Sequence, residues 1–188
     1  MKRNRTKLLS TGKYIPKKVL TNFDLEKFLE TSDEWITERT GIKQRHISNP
    51  DEGEFPSDMA KVATENALKD AGMEPNDIDM IIFSSVTPDY KLPNSATLLQ
   101  TKLGITNQCA CFDIAAACSG FVYGSNMADS FIKSGLAKHI LVVGSEMLSR
   151  EVDWQDRRTC VLFGDGCGVG IYGPSPEGDK SEILSAVM

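Results

Sequence analysis

The chain has 188 residues, 40% hydrophobic and 25% charged, with a net charge of −5 at pH 7, which predicts a globular protein with one substantial core. The negative charge and the lack of a basic patch interleaved with aromatic residues argue against a protein that binds nucleic acid. No apolar run approaches the roughly 20 residues of a membrane span and no apolar segment follows the basic N-terminus, so we expect a cytoplasmic protein without membrane contact.

In chain order, the first predicted elements are helices with recognisable N-terminal caps. Thr21 or Asn22 can cap a helix that continues through Glu30, and Ser32 can cap a short helix after it. A longer helix is predicted over residues 57–72, because its apolar residues form one stripe and a glycine ends it.

The following segments alternate between strands and helices. Residues 79–86 form a nearly continuous apolar run, which is typical of a strand buried on both faces, and Asn94 can cap a helix to Leu103. Further strands are predicted at 109–114, 139–144, 159–163 and 168–172, the last two joined by a glycine-rich turn, and 181–188 begins another extended segment. This alternation predicts an α/β layered fold.

Cys118 follows an apolar strand and three alanines, and a helix to about Ser134 comes directly after it. Near the first turn of a helix, free N–H groups and the helix dipole favour a thiolate, and the same N–H groups can hold an oxyanion. The alternative is a buried structural cysteine, which the local pattern alone slightly favours. Gly120 and Gly124 favour the functional interpretation. Each glycine destabilises a helix by about 0.5–1 kcal/mol relative to alanine, and their spacing would let another backbone come close.

The other thiols and both histidines predict neither a disulfide framework nor a metal site. The chain has five cysteines, an odd number, and Cys109 and Cys111 lie two apart on a predicted strand. His46 and His139 are not at a ligand spacing from these thiols, so we expect no zinc and assign both rings to structure, with His139 at the surface. The run 164–170 matches neither a dinucleotide-binding nor a phosphate-binding loop, and we interpret it as a turn.

Four motifs, in register, resemble the N-terminal half of a β-ketoacyl-acyl-carrier-protein synthase III, a thiolase-fold condensing enzyme. They are Thr31-Ser-Asp-Glu-Trp-Ile-Thr-Glu-Arg-Thr-Gly-Ile-Lys-Gln-Arg-His46, Ala117-Cys118-Ser-Gly120, Gly144-Ser-Glu146 and Phe163-Gly-Asp-Gly166. The resemblance runs over essentially the whole chain. It implies a thiolase-like layered fold of two similar βα halves, with a mixed, mostly parallel sheet and a buried helix behind the nucleophile.

By this resemblance, residues 1–188 are the first half, and the second half, with the catalytic histidine and asparagine, is absent from the chain. We therefore expect the chain alone to be inactive. Because apolar strands need covering layers on both faces, we also expect one face of the sheet to lack its layer and to expose an apolar association surface.

The resemblance also implies roles for single residues. Cys118 is the implied nucleophile. Trp35 is implied to stack on the adenine of coenzyme A while Arg157 covers the other face of the purine, with Thr31 and Arg39 completing the site and Arg39 within reach of a phosphate. The structural alternative is that Trp35 is a half-buried helix residue and Arg39 a solvated charge.

Three further positions carry finer implications of the resemblance. Arg158 leaves the alignment of Arg157 open by one residue. Leu92 matches the position that dimers of the family insert into the acyl pocket of the partner, although an ordinary loop leucine covering its own core is the alternative. Phe163 is implied to lie near the active-site tunnel.

The implied reaction is the decarboxylative condensation of acyl-coenzyme A with malonyl-acyl-carrier protein, through an acyl-cysteine, to initiate fatty acid synthesis. It implies a homodimer, no tightly bound cofactor and no metal. A related thiolase-fold acyltransferase of secondary metabolism is one alternative, and a truncated, non-catalytic half that associates with a paralogue is another. Val86 counts against hydroxymethylglutaryl-coenzyme A synthase, which carries a catalytic glutamate at about that position.

Overall fold

The computed structural model describes residues 5–185, in which a five-stranded mixed sheet and a two-stranded sheet are joined by helices. The strands are β1 (Thr6–Tyr14), β2 (Lys18–Thr21), β3 (Gln44–Ile47), β4 (Met80–Ser84), β5 (Ala110–Ile114), β6 (Ile140–Met147) and β7 (Asp165–Pro174). The α-helices are α1 (Asn22–Leu25), α2 (Asp33–Thr40), α3 (Pro56–Ala71), α4 (Ser95–Lys102) and α5 (Gly120–Ser134). The short 3₁₀ helices are Pro50–Glu52, Pro75–Asp77, Ala117–Ser119 and Leu148–Arg150.

The large sheet has the strand order β1-β7-β6-β4-β5. Strand β4 is parallel to both β5 and β6, whereas β7 is antiparallel to β6 and to β1. The small sheet is the antiparallel pair β2 and β3. The carboxyl ends of β4, β5 and β6 therefore meet at one side of the sheet, here called the carboxyl edge, where parallel sheets usually bind their ligands.

The core has a layer on each face of the large sheet, and β4 contributes to both. Ile81 and Phe83 pack in a cluster with residues of α3 and α4, while Ile82 packs on the other face with Ala128 and Ile132 of α5. All five residues of β4 are buried, which confirms the prediction of a strand covered on both sides. Burial of one such large apolar side chain contributes about 1.5–3 kcal/mol.

The expectation that one face of the sheet would lack its helical layer is wrong, because α3 and α4 cover one face and α5 covers the other. Exposed apolar side chains occur instead on α5 itself. Val122 and Tyr123 are 53% and 39% exposed, while Phe121, 37% exposed, lies against Gly144 and Gly170 of the sheet. Large apolar side chains in succession on one helix mark a contact surface rather than a solvated face.

Several predicted elements differ from the observed ones. Helix α1 ends at Leu25 rather than Glu30, because the chain continues in turns as far as α2. The Glu26 carboxylate stabilises these turns by accepting the N–H of Asp33, the first residue of α2. Helix α3 begins at Pro56, one residue before its predicted start, since proline suits the first helical position.

The strand predicted at 168–172 is confirmed as part of β7, whereas the strand predicted at 159–163, and with it the pairing of the two, is wrong. Residues 159–162 are turns, in which the backbone N–H groups of Thr159 and Cys160 both bond to Asp156 O rather than to a strand. The glycine-rich run after them is not a turn but belongs to β7, which pairs with β1 on one side and with β6 on the other.

The remaining segments add little regular structure. Residues 181–185 form no strand, although Ile183 N donates to Thr6 O at 2.8 Å, and residues 186–188 of the predicted extended segment lie outside the described residues. None of the helices within 5–185 combines the length and hydrophobicity of a membrane-spanning segment.

Candidate functional site

Cys118 lies in the 3₁₀ turn Ala117–Ser119, between the end of β5 and the first residue of α5, and its side chain is exposed. The residue before it, Ala117, has φ 45°, a left-handed conformation that alanine rarely adopts. Such backbone strain costs on the order of 1–3 kcal/mol and tends to occur at functional sites. The strained turn redirects the chain from strand to helix and leaves the thiol at the carboxyl edge.

The two glycines after Cys118 let α5 lie directly on the sheet. A Cβ on Gly120 would be 1.7 Å from Ser84 Oγ, and a Cβ on Gly124 would be 2.8 Å from Val142 Cγ1. The atoms that come close are thus strand side chains rather than another backbone. A larger residue at either position requires a shift of the start of α5, to which Cys118 is joined, or of the strand side chains below it.

A cavity of about 360 Å³ opens at the carboxyl edge, between residues 85–94 and 113–115. Leu92 belongs to this bordering loop and is 86% exposed, so it covers no core of its own. Phe163 is 36% exposed and precedes β7, whose first residue pairs with the last residue of β6. The topology therefore brings Cys118, Leu92 and Phe163 to the same edge of the sheet.

Two carboxylates order the rim of this cavity. Glu146 Oε1 accepts the N–H of Val86 at 2.9 Å, and its Oε2 accepts the hydroxyls of Ser85 and Thr87. Burial raises the pKa of Asp113, which accepts backbone N–H groups at the start of α4. The Gly144-Ser-Glu146 motif thus holds the loop that follows β4.

A larger cavity of about 620 Å³ lies at the opposite edge, between the amino ends of the parallel strands and the end of α5. It is lined by Asp79, Met80, Gln108, Ala110, Ile132, Gly135, Leu136, Ala137, Lys138 and Pro174. None of the predicted site residues belongs to it.

Three of the four residues predicted to contact coenzyme A meet at the indole of Trp35. The Arg39 Cζ lies 4.5 Å and the Arg157 Cζ 5.1 Å from the centroid of the ring. Arg157 also donates to the carbonyl of Glu30, next to Thr31, whose buried hydroxyl has no hydrogen-bond partner among residues 5–185. A purine that stacks on Trp35 must displace a guanidinium, and an exposed cation–π contact of about 0.5–1 kcal/mol is weak enough to exchange.

The two neighbouring arginines, Arg157 and Arg158, have different partners. Arg158 forms an ion pair with Asp156, with 2.9 and 3.0 Å between the guanidinium nitrogens and the carboxylate oxygens. Arg157 is the one that reaches Trp35. Trp35 is also half-buried against an apolar cluster, as the structural alternative expected, so it has both a packed side and a cationic side.

The sequence did not reveal Asn22 and Arg45, which form a buried polar pair beside this group. Arg45 Nη2 donates to Asn22 Oδ1 at 2.8 Å, and both side chains are at most 5% exposed. At Asn22 the sequence predicts only a possible helix cap. The available signal is an arginine inside the Lys-Gln-Arg45-His46 motif, and Arg45 is the buried residue of the short strand that this motif forms.

His46 and His139 both bond to backbone carbonyls through Nδ1, at 2.6 Å from Pro16 O and 3.0 Å from Asp77 O. His139 is half-buried rather than fully at the surface. Within residues 5–185, no group of three or more His, Cys, Asp and Glu side chains is arranged to hold a metal ion.

Asp165, in the Phe163-Gly-Asp-Gly166 motif, joins two loops beside the carboxyl edge. Its buried carboxylate accepts the N–H and the hydroxyl of Ser48, both at 2.8 Å, and the N–H and hydroxyl of Ser149, at 2.8 and 2.6 Å. This motif therefore fixes the segment that follows Phe163 by hydrogen bonds rather than by binding a phosphate.

Asp165→Asn is expected to lower the free energy of unfolding by about 2–3 kcal/mol, because an amide nitrogen would face a backbone N–H that has lost its acceptor. Urea unfolding followed by circular dichroism measures this. Ser149→Ala is the matched control, since it removes one hydroxyl and leaves both backbone N–H groups paired. Equal losses in the two variants would contradict the assignment.

The part of the chain from 112 to 188 matches a family model described as 3-oxoacyl-[acyl-carrier-protein (ACP)] synthase III. A β-ketoacyl-[acyl-carrier-protein] synthase III from Ehrlichia canis is 54% identical over 181 residues, 96% of this chain and 56% of the relative. One from Aquifex aeolicus is 52% identical over 183 residues, 97% of this chain and 57% of the relative. The chain thus spans about half the length of the curated relatives it matches.

Solved structures agree with the fold described above. The crystal structure of 3-oxoacyl-[acyl-carrier-protein] synthase III from Aquifex aeolicus VF5 superimposes with a TM-score of 0.90 at 52% identity, over 96% of this chain and 56% of that one. A priming β-ketosynthase of the R1128 polyketide pathway gives a TM-score of 0.87 at 34% identity, over 92% and 51%. The expected thiolase-like α/β layered fold is confirmed.

Proposed function

Because this chain belongs to the β-ketoacyl-[acyl-carrier-protein] synthase III family, we propose that it carries the acyl-accepting cysteine of a condensing enzyme that initiates fatty acid synthesis. The observation that carries the proposal is the exposed Cys118 on a strained turn at the carboxyl edge. The proposed setting is the cytoplasm, and the substrates are acyl-coenzyme A and malonyl-acyl-carrier protein, with no tightly bound cofactor.

In the first stage, the Cys118 thiolate attacks the thioester carbonyl of acyl-coenzyme A. A sulfur–carbon bond forms, and the sulfur of coenzyme A leaves with the electron pair of the broken bond and takes up a proton. Ser119 and Gly120 already donate their N–H groups to Ala116 O and Ala117 O, so the oxyanion role falls to the N–H of Cys118.

In the second stage, malonyl-carrier protein loses carbon dioxide, and the resulting enolate attacks the acyl-cysteine carbonyl. The cysteine sulfur leaves as a thiolate and 3-oxoacyl-carrier protein is released. The enolate oxygen needs neutral hydrogen-bond donors, which by family resemblance are a histidine and an asparagine of the second half. The residues of this chain supply the nucleophile and the entrance for coenzyme A.

Acyl-enzyme formation tests the proposal directly. The chain is incubated with acetyl-coenzyme A, alone and together with the C-terminal half of the Aquifex aeolicus relative, and its peptides are analysed by mass spectrometry. The acetyl group is expected on the peptide that contains Cys118. Acetylation of the other cysteines instead, or none even with the second half present, would refute the proposal.

Trp35→Ala is expected to raise the KM for acyl-coenzyme A by about 5–150-fold, because stacking of a base on an aromatic ring is worth about 1–3 kcal/mol. The KM for malonyl-carrier protein should change little, since the carrier substrate brings no adenine. Steady-state kinetics with the chain joined to a second half measure both constants. Trp154→Phe, which alters the other tryptophan, is the control, and equal losses for both substrates would contradict the assignment.

We propose further that residues 1–188 act as the first of two βα halves and that the exposed side of α5 packs against the second. Val122 and Tyr123 support this, because both are large, apolar and exposed. A chain that is monomeric, unfolds cooperatively and binds no hydrophobic dye would argue against it. A homodimer is also proposed, with the exposed Leu92 inserted into the acyl pocket of the partner copy.

A primer-condensing role in polyketide synthesis is the second candidate, because the R1128 priming β-ketosynthase is 34% identical to this chain. The choice of carrier protein separates the two functions. Condensation only on a carrier from a polyketide pathway would favour the second. If the chain is a truncated half that is not catalytic, Cys118 would not be acylated and neither carrier protein would support condensation.

A further inference from the structure

Arg45 is a buried arginine whose hydrogen-bond acceptors are all neutral. Its side chain is 5% exposed, and burial lowers its pKa from the ordinary value. Nη1 donates to Leu20 O at 3.2 Å, while Nη2 donates to Asn22 Oδ1 at 2.8 Å and to Val161 O at 3.1 Å. Burying a charge without a carboxylate partner costs several kcal/mol of folding free energy. Arg45 therefore joins three segments at a cost in stability that a neutral side chain would avoid.

Asn22 extends the contacts of Arg45 to both ends of α2. It is fully buried, and its Nδ2 donates to Asp33 Oδ1 at 2.8 Å and to Ile42 O at 2.7 Å. Asp33 is the first residue of α2, and Ile42 follows the glycine that caps the helix at its end. The pair of Asn22 and Arg45 therefore holds α2 at its two ends and holds the turn at Val161 at the same time.

These two segments form the two sides of the cationic aromatic group. Helix α2 carries Trp35, and the segment that includes Val161 carries Arg157. The guanidinium of Arg157 lies 5.1 Å from the indole centroid, so a relative shift of the two segments changes this contact directly. Cys160, beside Val161, is buried in the same apolar cluster, and burial raises the pKa of its thiol, which keeps it neutral.

We propose that Asn22 and Arg45 are positioning residues that set the distance between Trp35 and Arg157 and so shape the adenine end of the thioester site. The proposal rests on the proposed function for the identity of the ligand. A flat guanidinium reaches its three acceptors from two nitrogens in a fixed plane, which a single ammonium cannot reproduce. Lysine at 45 keeps the charge and loses this geometry.

The first experiment needs no ligand. The chain has two tryptophans, so in a Trp154→Phe background the fluorescence reports Trp35 alone. Arg45→Lys is expected to shift the emission of Trp35 in the same direction and to a similar extent as Arg157→Ala. The first change displaces the Arg157 guanidinium from the Trp35 ring, and the second removes it. Asn22→Ser is a second variant for the case in which Arg45→Lys does not fold.

The second experiment titrates coenzyme A against the same variants, followed by the fluorescence of Trp35. Arg45→Lys is expected to weaken binding about tenfold, equivalent to about 1.4 kcal/mol. In an Arg157→Ala background the same change should have an effect of less than about twofold, because residues that act as one unit are not additive. In Arg45→Lys, the rate of Cys118 acylation at saturating acyl-coenzyme A should be the same as in the unaltered chain.

Ser10→Ala is the matched control, since it removes a buried hydrogen bond from Ser10 Oγ to Ala67 O, 2.8 Å long, between β1 and α3. It should lower stability without moving the emission of Trp35 or the affinity. Additive losses in the double variant, or an unchanged Trp35 emission in folded Arg45→Lys, would overturn this inference alone. Failure of the unaltered chain to bind coenzyme A, with or without a second half, would overturn the proposed function as well.

Discussion

Cys118→Ser is expected to reduce acyl transfer from acyl-coenzyme A by at least about 10³-fold, because loss of a catalytic nucleophile has effects of this size or larger. A serine hydroxyl is far less ionised than a thiol and is a poor nucleophile without a base beside it. Labelled acyl-coenzyme A and scintillation counting of the precipitated protein measure the transfer. Undiminished labelling of the serine variant would remove Cys118 from the mechanism.

The other thiols of the chain provide the controls for that experiment. Cys160 and Cys167 are buried, and burial raises the pKa of Cys167 to about 12, so both stay protonated near neutral pH. Cys118 is the exposed thiol among the five. The Cys167→Ser variant should therefore be labelled to the same extent as the unaltered chain. Its free energy of unfolding shows whether the loss of any thiol destabilises the fold.

A strand that is buried at every residue is the easiest to predict from the sequence. Strand β4 is apolar at nearly every residue, so its position between two layers could be read directly. Strand β1 could not, because two of its buried residues are Thr6 and Ser10, whose hydroxyls bond to Asp129 O and Ala67 O. Such polar residues look exposed until the fold supplies their acceptors.

The same distinction separates the residues of the candidate site. Trp35 and Arg39 are four apart on one helix, so their contact follows from the helical period. Arg157 contacts the same ring only because a turn distant in sequence packs beside it. The family resemblance, and not the local sequence pattern, predicts this residue. The Asn22–Arg45 pair joins two residues with no periodic spacing between them, and although Arg45 lies inside a motif, only the three-dimensional structure shows its buried partner.

Gly120→Ala is expected to lower the free energy of unfolding by about 1–3 kcal/mol, because the new methyl group overpacks the junction of α5 and β4. The Cβ would lie 1.7 Å from Ser84 Oγ and 3.0 Å from Ser84 Cβ, so rotation of the serine alone does not relieve the clash. Since Cys118 is two residues away, a displacement of about 1 Å could also slow its acylation by about 10²-fold. Urea unfolding and the acyl-labelling rate measure the two effects.

Gly168→Ala is the matched control, because a Cβ there meets nothing within 4 Å and the residue is exposed. It should change stability by no more than about 0.5 kcal/mol and leave labelling unaffected. Ser84→Gly, combined with Gly120→Ala, removes both clashing atoms and should restore most of the labelling rate, although glycine in a strand keeps stability about 0.5–1 kcal/mol lower. If Gly120→Ala labelled at the original rate, the turn at Cys118 would not depend on close contact between α5 and β4. If the double variant were as slow as Gly120→Ala, the loss would arise from something other than the contact with Ser84.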